Sequence, residues 1–365
     1  MRGLYIHIPF CVKKCKYCDF TSFTGCEEIF SEYIDKICME MQEYKGEKID
    51  TVFIGGGTPS LLDIGDLGKM IKCINNTFKL NENTEFTIES NPKTLTYEKL
   101  SEIKNLGVKR LSIGVQSFDN EELKKIGRIH NSEDAIDAVL MAKEAEFSNI
   151  NIDLMFSLPG QTLEGFKNTL KKAIDLGVSH ISCYSLILEE GTPLLEEYEK
   201  GLLDLPDEET DRKIYQYACD ELKKNGFIQY EISNFSKPGY ECKHNLKYWE
   251  CDEYIGIGVA AHSYYKRVRF FNCGSLNEYM KENKREYDEL TVDDKIKEFV
   301  IMGFRKIEGI RKKDFSKRFN KEISDVYSQE IKKFKNLGLM EENEEYIWLT
   351  DDGISVSNSV LCEFV

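Results

Sequence analysis

One rhythm repeats about six times in the first half of the chain: a short β-branched run, then a longer stretch of helical periodicity. The runs are 4–8 (LYIHI), 51–55 (TVFIG), 85–89 (EFTIE), 111–115 (LSIGV), 150–155 (INIDLM) and 180–185 (HISCYS). Helical patterns lie near 28–45, 61–76, 95–106, 132–147 and 162–175. Leu106-Gly107-Val108 and Leu176-Gly177-Val178 fall where a helix should stop and hand over to a strand. Strands separated in this way by helices pair in parallel, so a parallel sheet covered by helices is predicted. The pattern alone does not choose between an open sheet and a barrel. Six units would make an incomplete barrel, open at one side to a large substrate.

From about residue 200 the rhythm changes. A charged helix is expected over roughly 207–225, Gly/Tyr/Asn-rich segments cover 226–275, and lysine-rich helices follow at 291–304 and 323–337. The tail EEYIWLTDDGISVSNSVLCEF reads as a β-hairpin with a short helix after it, and with the preceding helices it resembles a small winged-helix unit. It carries little basic excess, so packing or protein contact is expected ahead of nucleic-acid binding. The chain thus divides into 1–200, the βα region; 201–290, a linking region that carries HNLKYW; and 291–365, the small helical, winged-helix-like unit. With 365 residues, 41% of them apolar, it can bury one large core and a smaller one. A formal charge of −15 repels nucleic acid and anionic membranes on average. No run of 18 apolar residues offers a membrane span. The opening MRGLYIHIP lacks the apolar stretch of a secretory signal, so a cytoplasmic location is expected.

Nine of the twelve cysteines are scattered through ordinary segments and read as small hydrophobes; a disulfide framework is not expected in such a chain. Cys11, Cys15 and Cys18 are different. They follow the first strand in CVKKCKYC, at the strand end where α/β proteins assemble their sites. An iron–sulfur cube held by three thiolates leaves one iron without a protein ligand, which makes sense where a small molecule must chelate it. Structural zinc wants four ligands and would have to recruit His7 or Cys26. Unlinked thiols are the plainest alternative. Lys13, Lys14 and Lys16 either ease thiolate formation or merely solvate the loop.

Polar groups recur at the following strand ends. Gly55-Gly56-Gly57-Thr58-Pro59 closes the second strand, where glycines let backbone amides approach a ligand that a Cβ would hold off. A tight strand-to-helix turn begun by Pro59 is the simpler use of the same residues. No Gly-Lys-Thr follows, so this is not a nucleotide phosphate loop. Strand three ends Glu89-Ser90-Asn91-Pro92, and strand four runs into Gln116-Ser117-Phe118. Asp153 lies within apolar strand five, where a carboxylate is costly unless hydrogen-bonded; it caps a loop amide or accepts from ligand hydroxyls. Arg128, in GRIH, neutralises a ligand carboxylate or forms a surface salt bridge.

CxxxCxxC on the first βα loop, the GGGTP loop and the polar ends of strands three to five resemble the radical S-adenosylmethionine superfamily. In that family the methionine amino and carboxylate groups chelate the open iron, and one electron cleaves the sulfonium to give methionine and a 5′-deoxyadenosyl radical. YIHIPFCxxxCxYCDF, FIGGGTPS, SIGVQSF, GRIH and DLMFSLPGQT, with HNLKYW and YIGIGVAAHS further on, are similar to the oxygen-independent coproporphyrinogen III oxidase group over most of the chain. This resemblance implies a partial (β/α)6 TIM-like barrel with a mostly helical C-terminal domain. It implies a [4Fe-4S] cluster on Cys11, Cys15 and Cys18, with S-adenosylmethionine beside it. The loop of Gly55, Gly56 and Gly57 would meet the methionine amino group, with Thr58 beside it among the cofactor contacts. Arg128 would take the carboxylate, Glu89 would be a further polar contact, and Gln116 and Asp153 would hold the ribose. Tyr5 would neighbour the cofactor.

Two departures discriminate within the group. Its decarboxylases resemble CxxxCxxCxC, and Phe20 stands here in place of the fourth cysteine. They also carry a substantial segment ahead of the first strand, which here starts at residue 4. Both point to the HemW-like haem chaperones, which bind haem and pass it to haem proteins. A radical enzyme acting on a porphyrin or haem is the alternative, so enzymatic turnover stays open. The resemblance implies haem as cargo and haem-accepting proteins as partners. It also implies an electron donor such as flavodoxin or ferredoxin, and peripheral contact with membrane proteins. It assigns haem binding to the motif begun by His244, in which the aromatic rings of Tyr248 and Trp249 are suited by their own chemistry to flank a flat macrocycle. On residue chemistry alone, His244 is either a satisfied half-buried side chain or an axial ligand. His262 is the next candidate, and Cys242 a weaker one.

Overall fold

The computed structural model describes residues 1–282 and 284–365. Strands β1 (Arg2–Ile8), β2 (Ile49–Gly56), β3 (Glu85–Ser90), β4 (Arg110–Gln116), β5 (Asn149–Phe156) and β6 (His180–Ser185) lie side by side in chain order, every pair parallel. Helices α1 (Phe30–Met41), α2 (Ile64–Thr77), α3 (Tyr97–Asn105), α4 (Asn120–Lys125), α5 (Ser132–Glu144) and α6 (Leu163–Asp175) connect them. Local chemistry starts and stops these helices. The side chains of Asp63, Thr96, Asn131 and Thr162 accept from first-turn amides of α2, α3, α5 and α6. Gly107 and Gly177, at φ +104 and +60, end α3 and α6 as the Leu-Gly-Val breaks predict. Only α4, six residues long, lies outside the expected helical stretches.

The sheet is open and larger than the six-unit rhythm indicates. After α7 (Pro193–Glu199) and α8 (Glu208–Lys224), strands β7 (Ile228–Glu231) and β8 (Asn234–Ser236) add antiparallel to the β6 edge. Helix α9 (Lys243–Trp249) then carries the chain across, and β9 (Tyr254–Ile257) pairs parallel with β1. Strands β10 (His262–Tyr265), β11 (Val268–Asn272) and β12 (Arg285–Asp288) extend that edge antiparallel. The order is β12-β11-β10-β9-β1-β2-β3-β4-β5-β6-β8-β7. Period-2 alternation gives the central strands two different faces. Leu4, Ile6, Val52, Ile88, Ile113 and Ile152 belong to the large apolar core, while Tyr5, Glu89, Ser112, Asp153 and Ser182 line a chamber of about 330 Å³.

The C-terminal part follows α10 (Leu276–Lys281). It comprises α11 (Val292–Gly303), β13 (Ile310–Arg311), α12 (Lys312–Phe319), α13 (Ile323–Val326), α14 (Ser328–Asn336) and the hairpin β14 (Met340–Glu342) and β15 (Tyr346–Leu349). The three strands form an antiparallel sheet in the order β13-β15-β14, and short helices complete the chain. This part has its own core, including Phe299, Phe304, Phe315, Ile347 and Phe364. Among the described residues no helix is long and apolar enough to cross a membrane.

Candidate functional site

The loop after β1 carries the three thiols and is pinned from several sides. Cys11 N donates to Phe23 O (3.0 Å) and Phe23 N to Pro9 O (2.6 Å), which closes the loop on itself. Gly57 N donates to Ile8 O and Thr58 N to Phe10 O, both at 2.8 Å. Lys16 N donates to Ile126 O (3.0 Å), and at Gly127 (φ +77) a Cβ would come within 3.3 Å of Lys16 N. Glycine there permits both the left-handed turn and the close approach. Arg128 Nη1 then reaches Cys15 Sγ at 3.5 Å, while its Nη2 donates to Gly114 O. So GRIH is a clamp on the thiol loop, not a surface salt bridge. Lys16 pairs with Glu197 of α7 at 2.6 Å.

All three thiols are half-buried and free of disulfides. Burial raises the Cys11 thiol and pushes Cys18 up to about 11; Cys15 raises both further, and Cys11 also raises Cys18. Arg128 pulls Cys11 down and Lys14 pulls Cys18 down, but desolvation wins. Three soft sulfur donors suit iron–sulfur chemistry, not a hard cation. The fourth ligand that zinc would need is engaged elsewhere. His7 Nδ1 accepts from Tyr5 OH (2.9 Å) and Nε2 donates to Thr21 O (2.8 Å), while Cys26 Sγ turns to Thr24 O at 3.4 Å. Among the described residues no three His, Cys, Asp or Glu side chains are gathered to hold a single metal ion.

The strand ends meet around the chamber. Glu89 Oε2 accepts from Gly56 N at 3.0 Å, and a Cβ on Gly55 would lie 2.7 Å from the same oxygen. A Cβ on Gly57 would strike Phe10 O at 2.7 Å. The triple glycine therefore lets β2 pack against Glu89 and the thiol loop. The amides of Gly56, Gly57 and Thr58 are all taken by protein acceptors, Glu89 Oε2, Ile8 O and Phe10 O. Gln116 sits at a bulge with φ +68, a strained conformation for a side-chain-bearing residue, and its Oε1 accepts from Tyr184 OH at 3.1 Å. Asp153 Oδ1 accepts from Asn151 Nδ2 (2.8 Å) and Oδ2 from Ser112 Oγ (3.4 Å). Burial raises the Asp153 carboxyl, while Glu89 is pushed up to about 8 by burial and then by the charge of Asp153.

Of the residues expected at the site, Tyr5, Gly56, Glu89 and Asp153 line the chamber, with exposed Phe20 also in its wall. The reading of the sequence missed Arg110, Ser112, Asn151, Ser182 and Asn245 there. A signal existed: Arg110, Ser112, Gln116 and Asn151, Asp153 fall at even spacings within apolar strands, the mark of one polar sheet face.

HNLKYW forms α9, which plugs the opposite end of the strands. Glu85, the first residue of β3, accepts from Lys243 N (2.9 Å) and His244 N (3.0 Å). His244 is 1% exposed, and its ring stacks on Phe53 at 5.2 Å. Its Nδ1 meets Thr51 Oγ1 (2.9 Å) and its Nε2 meets Tyr248 OH (3.0 Å). Burial lowers its pKa to about 3. In this arrangement His244 has no nitrogen free for iron. Cys242 is buried too, its thiol pushed up to about 12 by desolvation. Trp249 lies under the Arg305 guanidinium, 4.5 Å from the ring centre. His262, by contrast, is exposed, stacks on Phe271 at 4.8 Å, and opens onto a second cavity of about 310 Å³ with Tyr254, Tyr264, Arg269 and Met302. Tyr248 lines both cavities.

Known proteins share this organisation. The profile of the radical SAM superfamily matches residues 5–173, and that of the HemN C-terminal domain matches residues 290–356. Heme chaperone HemW of Lactococcus lactis is 38% identical, covering 99% of this chain and 96% of its own. Heme chaperone HemW of Bacillus subtilis is 37% identical, covering 100% and 99%. That of Escherichia coli is 33% identical, covering 98% and 97%. Among solved structures, coproporphyrinogen III oxidase (HemN) from Escherichia coli, described as a radical SAM enzyme, superposes with a TM-score of 0.85 over 99% of this chain and 89% of that one, at 24% identity. At that identity the likeness concerns the fold.

Proposed function

The chain belongs to the HemW family of the radical SAM superfamily, and from that premise we propose that it is a haem chaperone. In this reading Cys11, Cys15 and Cys18 hold a [4Fe-4S] cluster, the chamber takes S-adenosylmethionine, and haem is bound as cargo for delivery to haem proteins. The observation that carries it is the identity of 38% to a haem chaperone over 99% of the chain. When bound, cluster and cofactor would supply one-electron cleavage of a sulfonium. This chain's residues prepare the place. Arg128 steadies the thiol loop through Cys15, Glu89 faces the cofactor's amino group, and Asp153 accepts from its ribose, with Gln116 beside it at the end of β4. Tyr5 closes the chamber wall.

For the haem iron we assign His262 ahead of His244, because its imidazole opens onto a cavity while both ring nitrogens of His244 are engaged by Thr51 and Tyr248. The remaining parts of the reading are a cytoplasmic location, an electron donor of the flavodoxin or ferredoxin kind, and peripheral contact with membrane-bound haem acceptors. A winged-helix-like C-terminal unit would be used for protein contact and not for nucleic acid. A second reading, a radical enzyme acting on a porphyrin, is favoured by the chamber of about 330 Å³ that Glu89 and Asp153 line.

The test is anaerobic reconstitution with iron and sulfide, followed by a haem titration and mass spectrometry of the tetrapyrrole after S-adenosylmethionine and reductant are added. Tight haem binding, transfer to an apo-haem protein and an unchanged macrocycle support the chaperone. A decarboxylated or ring-altered product over many turnovers would replace it with the enzyme.

A further inference from the structure

The second cavity lies in the seam between the two cores. Cys251, Tyr254, His262 and Arg269 line it from the end of α9 and from β9 to β11, and Glu298 and Met302 line it from α11. The C-terminal part closes this seam by two unlike attachments. At the end of β7 the attachment is main-chain pairing. Ile232 N donates to Arg305 O (3.0 Å) and Ile307 N to Tyr230 O (3.1 Å), while Tyr215 and Ile232 pack against the C-terminal core. At the other edge of the sheet it is made by charged side chains. Arg269 of β11 pairs with Glu298 at 2.5 Å, each side chain 22% exposed. Arg318 of α12 donates to Glu250 O (3.1 Å) and Cys251 O (3.0 Å) at the end of α9, and lies 3.6 Å from Asp252.

Helix α11 runs between these attachments. Residues 289–291 join its first turn to edge strand β12, and its last turn leads into Arg305. Main-chain pairing beside apolar packing makes a hinge. Half-exposed ion pairs, each contributing little and screened by salt, make a latch. The size of the cavity gives the latch a use. Its volume of about 310 Å³ is at the low end of the range of about 300–1,000 Å³ for sites of drug-sized ligands, and haem, four pyrrole rings with two propionates, is larger than most of these. The rings of Tyr248, Tyr254 and Tyr264 in the wall suit a flat macrocycle, but the seam has to widen to admit one.

We propose that this cavity is the haem site in its closed form and that the C-terminal part is its lid, hinged beside β7 and latched by Arg269 and Glu298. Loss of that ion pair lets α11 tilt off the β11 edge, and haem enters and leaves through the gap. The proposal rests on the haem reading above. It holds whichever histidine meets the iron, because His262 and Tyr248 of α9 both line the cavity.

The experiment uses the reconstituted full chain, Glu298→Gln, Arg269→Gln and the double variant, each shown folded by its thermal midpoint. Cys251, half-buried in the cavity wall, reports opening in the absence of haem. Its alkylation by N-ethylmaleimide is followed by peptide mass spectrometry, with exposed Cys362 as internal standard. Each single variant should label Cys251 about 3- to 5-fold faster than the parent, and the double variant no faster than either, because all three lose the same ion pair. In stopped-flow haem binding, Glu298→Gln should show association and dissociation both quickened by a similar factor. Glu341→Gln, which removes an exposed charge from β14, should quicken neither. If Cys251 labelling is unchanged there is no latch and the proposal falls, while haem binding by the parent keeps the chaperone reading. If labelling quickens and the haem rates do not, haem does not use this cavity and the proposal falls as well. If labelling quickens and the parent binds no haem, the chaperone reading falls and the lid is left without that cargo.

Discussion

Glu89→Gln should stabilise the ligand-free protein in alkali and weaken its cofactor binding, and both effects come from one carboxyl. Burial, then the neighbouring Asp153 charge, raises Glu89 from 4.5 to about 8, against the opposing hydrogen bond from Gly56 N. Between those two values the native chain holds a proton that the unfolded chain has released. Stability therefore falls as pH rises through this window, and the full penalty is present above about pH 8. At about 1.4 kcal/mol per pH unit the linkage reaches about 5 kcal/mol, and water entering the chamber reduces it. A gain of about 2 kcal/mol or more is expected for Glu89→Gln at pH 9, vanishing near pH 4. Glutamine keeps an oxygen for Gly56 N, so the loop contact survives. Chemical denaturation at pH 4, 7 and 9 measures the difference. In the parent, the amino group of S-adenosylmethionine would donate to the Glu89 carboxylate, an acceptor that the glutamine amide replaces less well, so the variant should bind S-adenosylmethionine more weakly than the parent, read by titration calorimetry of the reconstituted chains. A stability difference that does not change with pH, or equal binding by parent and variant, refutes the account of Glu89.

Gly57→Ala places a Cβ 2.7 Å from Phe10 O and 2.9 Å from Phe10 N, backbone atoms with little room to move. It should cost about 1–3 kcal/mol and lower the iron retained per chain after reconstitution. His262→Ala should weaken haem binding in an optical titration, while the thermal midpoint changes little because the ring is exposed. In the cluster-free chain at pH 8, Cys18, held up to about 11 by burial, should be alkylated by iodoacetamide more slowly than exposed Cys362, as peptide mass spectrometry would show. Equal rates would mean that the loop opens freely.

The six strands and five of the six helices between them were legible because each repeats a local signal: β-branched runs, capping side chains and glycine stops. Strands β7 to β12 were not. They are three to five residues long and lie in Gly/Tyr/Asn-rich sequence, so no window is long enough for alternation to stand out. Their pairing, β8 on β6 and β9 on β1, is set by tertiary contact. At the site, the thiol triad and the strand-end carboxyls were visible as residue types out of place. What Arg128 and the glycines do was not, because it depends on which atoms approach across the chain: Gly127 against Lys16, and Gly55 against Glu89.

The same distinction bears on HNLKYW. The motif looks like a ligand set because it concentrates His, Tyr and Trp, yet α9 fastens the starts of three strands. Glu85 holds its first turn, Lys247 pairs with Asp50 at 3.0 Å, and the His244 ring lies 3.1 Å from where a Cβ on Gly3 would stand. Removing the His244 ring leaves Thr51 and Tyr248 without a partner and opens a cavity against Phe53. That should cost about 2–5 kcal/mol. Loss of haem binding in His244→Ala is therefore expected from a disturbed sheet even if the iron never meets this imidazole. Only a variant that keeps the thermal midpoint can separate the two. His244→Gln is the informative substitution, since its amide can satisfy both hydroxyls. Retained haem binding there, with loss in His262→Ala, would assign the motif to the architecture. The converse would mean that α9 leaves its seat when haem arrives.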